Sequence, residues 1–159
     1  YVRAKNSRER ELWLVARNGD RVDGRRLLSG RLGTQTAFSP SGERLALSLY
    51  KNDGAQVVLL DVADATVTEA GPGRITAESW HPSGEYLVVA AIDETAGQAQ
   101  LYAMETSAPF RRHQLTRLPG GVDGGAAVSR DGKWVVAMAQ TRNGPGLVFL
   151  DLSARLFAA

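Results

Sequence analysis

With 159 residues, of which 43% are hydrophobic and 23% charged, the chain is long enough for one sizeable core and has a globular rather than a disordered composition. Its lack of cysteine excludes disulfides, zinc–thiolate sites and cysteine nucleophiles. The net charge of +2, with no basic stripe interleaved with aromatic residues, does not indicate nucleic-acid binding, and no stretch reaches the roughly 18 apolar residues of a membrane helix.

The first predicted strands are an apolar one at Leu12–Val15 and a more polar one at Arg26–Leu28. They come before any turn motif. Because the same order, apolar then polar, recurs twice later in the chain, we interpret these two strands as the end of a repeated unit.

A turn motif then occurs three times, in Ala37–Ala46, Ser79–Val88 and Ala127–Val136. Its glycines, Gly42, Gly84 and Gly132, are separated by 42 and 48 residues, close to the spacing of propeller repeats. Proline presets φ at the second position of such a turn, and glycine closes the turn where a positive φ is needed. The motif therefore predicts three tight turns between antiparallel strands.

Each turn is followed by the same succession of predicted strands. Runs of apolar residues at 45–49, 87–92 and 135–139 predict strands that are buried on both faces. After a polar loop come third strands at 57–61, 101–105 and 147–151, and polar outer strands at 66–68 and 114–116. Inner strand, turn, buried strand, third strand and outer strand make a four-stranded antiparallel propeller blade. No window carries helical periodicity of useful length, so the fold class is all-β.

The turn motifs resemble the PD40, or WD40-like, repeats of the TolB-like β-propeller family. Phe38–Gly42 and Trp80–Gly84 match the family pattern of an aromatic residue and Ser-Pro-Asp-Gly, with Ser in place of Asp, whereas Ser129–Lys133 keeps Asp-Gly and lacks Pro. Leu101-Tyr102 and Leu115-Thr116 match the later strands. The resemblance implies a non-enzymatic bacterial protein of the periplasm or another extracytoplasmic location. The same repeat also occurs in prolyl-oligopeptidase-like and tricorn-like peptidases, whose chemistry lies in another domain.

The chain divides into a partial blade at 1–30, blades at 31–70 and 71–118, and a partial blade at 119–159, about three to three and a half blades in one propeller segment. Closed propellers have 4 to 8 blades, so one copy does not complete a ring. Two alternatives remain open: a homo-oligomer, dimer or trimer, that closes the ring head to tail, or a piece of a longer propeller. A first residue that is Tyr rather than Met indicates processing or excision.

No catalytic, metal or cofactor site is expected. His81 replaces the serine of the turn, where a capping hydrogen bond is the expected role, and His113 is expected to be solvated. Neither Lys51–Gly54 nor the pair Asp93-Glu94 has the spacing of a calcium loop. The glycine-rich segment 120–125 lacks the Lys-Ser/Thr of a phosphate loop and is interpreted as a flexible connector.

Binding is expected instead on the loops that join the outer strand to the next inner strand, and the second strand to the third, at one end of the blades. These loops lie at 29–33, 70–74, 117–124, 50–54, 93–97 and 141–146. The candidate binding residues are Arg31, Arg74, Asp123, Lys51, Asp93 and Arg142. We expect a scaffold for a protein or peptide partner, with a gating domain of a peptidase as the alternative.

Overall fold

The computed structural model describes residues 2–6, 9–18, 21–52, 54–71, 73–92 and 97–153, and these form four antiparallel sheets. The first sheet contains β1 (Val2–Ala4), β2 (Arg10–Asn18) and β3 (Arg21–Gly30). The second contains β4 (Leu32–Phe38), β5 (Arg44–Lys51), β6 (Gly54–Asp61) and β7 (Val67–Glu69). The third contains β8 (Ile75–Trp80), β9 (Tyr86–Ile92), β10 (Ala99–Glu105) and β11 (Arg112–Gln114). The fourth contains β12 (Val122–Val128), β13 (Trp134–Thr141) and β14 (Gly144–Asp151).

This architecture confirms the predicted all-β propeller fold. The second and third sheets are complete four-stranded meanders, and the first and fourth sheets each have three strands among the described residues. Every strand pairing in the second and third sheets is antiparallel and joins neighbours in sequence, which is the connectivity of a propeller blade.

The three predicted turns have the same geometry. In each, the first turn residue and the residue five positions later are joined by a backbone hydrogen bond of 2.8 or 2.9 Å, and the turn glycine donates to the first residue's carbonyl at 2.8 or 2.9 Å. Gly42, Gly84 and Gly132 have φ values of 76°, 75° and 74°. The left-handed conformation that the motif predicts is therefore present in all three turns.

The core lies between the sheets. Alternating residues of the second and third strands point to opposite sides, so that Leu45 and Leu47 of β5 pack towards the first sheet while Ala46 packs towards the third. The interface between the third and fourth sheets buries Val88 and Leu101 in the same way. Both faces of a central sheet are thus covered by its neighbours.

Polar contacts also join neighbouring sheets. The Arg44 guanidinium lies 5.3 Å from the centre of the Trp80 ring and donates to the Thr106 carbonyl at 2.9 Å. The Trp80 indole N–H in turn donates to the Ala37 carbonyl at 2.8 Å. These contacts link the second and third sheets near the turns and fix their relative position.

His81 makes the corresponding contact between the third and fourth sheets. Its Nδ1 accepts the Ser83 backbone N–H at 3.2 Å, which confirms the predicted capping role. Because Nδ1 is an acceptor, Nε2 carries the proton and donates to the Gly132 carbonyl at 3.1 Å. The imidazole therefore connects two successive turns.

Several strand boundaries differ from the prediction. The outer strand was expected at 114–116, but β11 spans 112–114. The next two residues are bonded to Leu101 instead: the Leu115 N–H donates to the Leu101 carbonyl at 2.8 Å, and Thr116 Oγ1 accepts the Leu101 N–H at 2.9 Å. The segment 120–125, interpreted as a connector, already enters β12 at Val122, and the Glu78 carboxylate holds it by accepting the Gly125 N–H at 2.9 Å. The strand expected at 26–28 extends over the whole of β3.

Two glycine-to-alanine substitutions test the contact between turns. Gly42→Ala incurs only the left-handed strain of about 1–2 kcal/mol, because a Cβ there has no heavy atom within 4 Å. Gly132→Ala has the same strain, but its Cβ would lie 2.5 Å from His81 Nε2. Displacing that ring adds about 1–3 kcal/mol for the lost buried hydrogen bond. Denaturant unfolding is expected to show the larger loss for Gly132→Ala, and equal losses would contradict the His81 contact.

Candidate functional site

The loops at one end of the sheets are held by a hydrogen bond that repeats in three sheets. In each of these sheets, a backbone N–H near the end of the second strand donates to a backbone carbonyl in the loop that leads into the first strand. The bonds run from Tyr50 to Arg31 at 2.8 Å, from Ile92 to Arg74 at 3.3 Å and from Gln140 to Gly121 at 3.2 Å. We call this end the loop face and the end with the glycine turns the turn face. The repeated bond fixes the backbone of the loop face, where the sequence predicts binding.

The predicted site residues occupy exposed positions on the loop face, with one outside the described residues. The exposed ones are Arg31, Lys51, Arg74, Asp123 and Arg142. Asp93 lies outside the described residues, as do Glu94 and Asp53 of the neighbouring loops.

The structure brings Lys51 and Arg74 to one hairpin. Lys51 is opposite Gly54 in the β5–β6 pair, and a Cβ on Gly54 would lie 2.8 Å from the Arg74 Cγ. Arg74 thus lies across the end of the second sheet although it precedes the third. The absence of a side chain on Gly54 makes this close approach possible.

Two of the predicted residues have polar partners within their own sheet. The Lys51 ammonium lies 2.6 Å from the Glu69 carboxylate, and the Asp123 carboxylate accepts from the Gln140 amide at 2.6 Å. The hydrogen bond from Lys51, and then that from Gln56, hold the pKa of Glu69 below its ordinary value. The loop face therefore presents both signs of charge.

A groove on the turn face was not predicted. It has a volume of about 600 Å³ and lies between the turns of the second and third sheets. Hydroxyl groups of Ser39, Ser41, Ser83 and Thr106 line it beside Arg44. The turn motifs contain these serines, and Ser39 Oγ accepts the backbone N–H of Arg44 within its turn at 3.0 Å. No sequence signal indicated that two neighbouring turns would form a groove.

The described histidine and acidic side chains form no cluster that suits a metal ion. Within the described ranges, no group of three or more histidine, aspartate or glutamate side chains is placed to hold a metal ion. His113, predicted to be solvated, has an exposed side chain whose Nε2 lies 3.6 Å from Glu105. The part of the chain that the structure describes has no helix that is long and apolar enough to cross a membrane.

Comparison with known proteins places the fold. No protein-family model and no curated protein sequence matches the chain. TolB from Acinetobacter baumannii matches with a TM-score of 0.72 and 15% identity, over 94% of this chain and 39% of that one. The putative TolB from Agrobacterium tumefaciens matches with a TM-score of 0.69 and 18% identity, over 77% of this chain and 44% of that one. Puromycin hydrolase matches with a TM-score of 0.73 and 18% identity, over 92% of this chain and 23% of that one.

These likenesses define the chain as a β-propeller segment. More narrowly, its propeller is of the kind found in TolB and in peptidases such as puromycin hydrolase and the tricorn protease. The resemblance inferred from the turn motifs is therefore confirmed for the fold. The chain spans about two-fifths of the TolB structures and about a quarter of puromycin hydrolase.

The pair formed by Lys51 and Glu69 has a measurable pH signature. The folded pKa of Glu69 is lowered, so the contribution of this pair to stability is present above the ordinary glutamate pKa and is lost as the pH falls through the lowered value. Lys51→Met is expected to raise the pKa of Glu69 towards its ordinary value, with the Gln56 bond preserving part of the lowering. Carboxyl NMR titration measures this. Lys133→Met, on the turn face, is the control; an unchanged Glu69 pKa in Lys51→Met would refute the pairing.

Proposed function

We propose that the chain is a non-enzymatic propeller scaffold that binds a protein or peptide partner on the loop face. The observation that carries this proposal is the repeated hydrogen bond from the end of the second strand to each incoming loop, made by Tyr50, Ile92 and Gln140. Loops held on rigid strands are common binding surfaces, because little conformational entropy is lost when a partner binds. The exposed charges of both signs on this face suit a polypeptide that carries both acidic and basic residues.

Self-association of two or three copies would complete the ring around that face. Support comes from the first and fourth sheets, which each have a neighbour on one side only among the described residues. A propeller sheet that is apolar on both sides is stable when both sides are covered.

The likeness to TolB also supports a place in the bacterial cell envelope, outside the cytoplasm. TolB from Acinetobacter baumannii and the putative TolB from Agrobacterium tumefaciens are bacterial proteins with the same fold. This location rests on the fold likeness and on the turn motifs together.

A second candidate is a gating propeller of a peptidase. It is favoured by the match to puromycin hydrolase, which covers 92% of this chain. In that case the chain would restrict access to a catalytic domain encoded in the same gene. A hydrolase segment with a Gly-x-Ser-x-Gly nucleophile elbow in that gene would favour gating over free-standing binding.

Peptide selection with charge-reversed variants tests the scaffold proposal. The immobilised chain is used to select binders from a displayed random peptide library, and their affinities are compared between the wild type and Arg31→Glu/Arg74→Glu. We expect affinity to fall by at least about tenfold, equal to about 1.4 kcal/mol, because two cations of the loop face change sign.

Arg130→Glu provides the matched control, since Arg130 is an exposed arginine on the turn face. It is expected to bind as the wild type does. Equal affinity in the double variant, or a library that yields no binder, would count against a loop-face binding site.

A further inference from the structure

The groove on the turn face adjoins a second cavity. This cavity has a volume of about 420 Å³ and lies between the β6–β7 hairpin and the connection that joins β10 to β11. Arg44, Thr106 and Ser107 line both spaces, so the groove and the cavity meet at these three residues. Each volume is in the range of about 300 to 1,000 Å³ that is typical of small-molecule sites. We call the two spaces together the inter-sheet cleft.

Hydroxyl groups line both parts of the inter-sheet cleft. Ser41 and Ser83 lie in the groove, Thr66 and Thr68 in the second cavity, and Ser107 where the two meet. All five residues are exposed. Because a hydroxyl group both donates and accepts hydrogen bonds, the cleft offers donors and acceptors to a ligand.

The Arg44 guanidinium is held at the point where the groove meets the second cavity. It donates to the Thr106 carbonyl at 2.9 Å and to Thr106 Oγ1 at 3.4 Å, and it lies over the Trp80 ring. Among the described residues, no carboxylate lies within ion-pair distance of it. Since a guanidinium has five N–H donors, those that Thr106 does not use remain for a ligand.

Carboxylates lie on both sides of Arg44. Glu85 and Glu105 line the groove, and Asp61 and Asp64 line the second cavity. A cationic ligand at the junction would be repelled by Arg44, whereas an anionic ligand would be repelled by the carboxylates beside it. The inter-sheet cleft therefore favours a ligand that is polar and has no net charge.

Each part of the cleft also has one aromatic side chain. Tyr86 lines the groove and packs against the core between the third and fourth sheets, whereas Phe110 lines the second cavity and packs against the core between the second and third. Phe110 has a φ of 57°, a left-handed conformation that is unfavourable for a bulky residue. Backbone in such conformations is concentrated at functional sites. The two rings supply apolar contacts in a cleft that is otherwise polar.

We propose that the inter-sheet cleft binds a neutral oligosaccharide. A neutral sugar carries hydroxyl groups that both donate and accept, has no net charge, and has apolar C–H faces that pack against aromatic rings. These three properties match the hydroxyl groups, the opposed charges and the two aromatic side chains of the cleft. The site lies away from the loop face, so it adds a second kind of ligand to the proposed binding of a protein or peptide there.

A panel of neutral trisaccharides tests the proposal. Trisaccharides of glucose, galactose, mannose and N-acetylglucosamine are titrated into the 159-residue chain, and binding is measured by NMR and calorimetry. At least one of them is expected to bind, and its affinity is expected to change by less than about twofold between low and high salt, because screening does not act on a neutral ligand. Ser107→Trp is expected to weaken binding by at least about tenfold, because the new ring fills the junction of the cleft.

Control variants separate loss of this site from unfolding and from loss of the loop-face site. Ser153→Trp changes an exposed serine outside the cleft and is expected to bind sugar as the wild type does. Ser41→Trp provides a second variant of the groove if Ser107→Trp fails to unfold cooperatively. Arg31→Glu/Arg74→Glu is expected to leave sugar binding unchanged, so the two proposed sites are tested independently.

Three outcomes would overturn the proposal. In the first, no trisaccharide of the panel binds. In the second, sugar binds equally well to the wild type, Ser107→Trp and Ser41→Trp, which would place the sugar elsewhere. In the third, an oligolysine peptide binds in place of the sugars, with an affinity that falls steeply with salt and is lost in Ser107→Trp, which would show that the carboxylates of the cleft bind a basic polypeptide.

Discussion

Apolar packing between successive sheets is the interaction on which the rest of this structure depends. The second and third strands of the central sheets are hydrophobic on both sides, so that residues such as Leu47 and Val58 pack towards one neighbour and Val57 and Leu59 towards the other. A sheet of this composition exposes one apolar side to water unless it is placed between two others. The repeat therefore dictates a radial stack in which each apolar side is covered by a neighbouring sheet.

Polar interactions determine the relative position of neighbouring sheets and of the loops, which apolar packing alone does not specify. At the turn face, Arg44 and His81 fix neighbouring sheets to each other, and each third strand returns to the preceding turn by a backbone hydrogen bond of 2.7 to 2.9 Å. At the loop face, one repeated backbone bond holds each incoming connection. These bonds join backbone atoms, so they do not depend on the identity of the side chains that the loop face carries.

The sequence predicted features that arise from local chemistry. The turns at Gly42, Gly84 and Gly132 need a positive φ, and the strands that follow are rich in apolar residues, so their positions were predicted correctly. Burial on both faces was predicted correctly for β5 and β9 but was wrong for β13, where Met138 is 49% exposed because no sheet among the described residues covers that side. Features that depend on contacts beyond the local turn and strand pattern were missed. The shift of β11 follows from bonds to Leu101, the early start of β12 is accompanied by a bond to Glu78, and the turn-face groove exists because two turns meet. Loop-face exposure was predicted, whereas the close approach of Arg74 to Gly54 was not.

Oxidation of the two methionines tests the sheet-on-sheet packing most directly. Met104 is fully buried between the second and third sheets, whereas Met138 is 49% exposed on the side of the fourth sheet that faces away from the third. Hydrogen peroxide converts accessible methionine to its sulfoxide, and mass spectrometry of peptides measures the rate at each site. In dilute protein we expect rapid oxidation of Met138 and slow oxidation of Met104. Equal rates at the two sites in folded protein would contradict the packing described for these sheets.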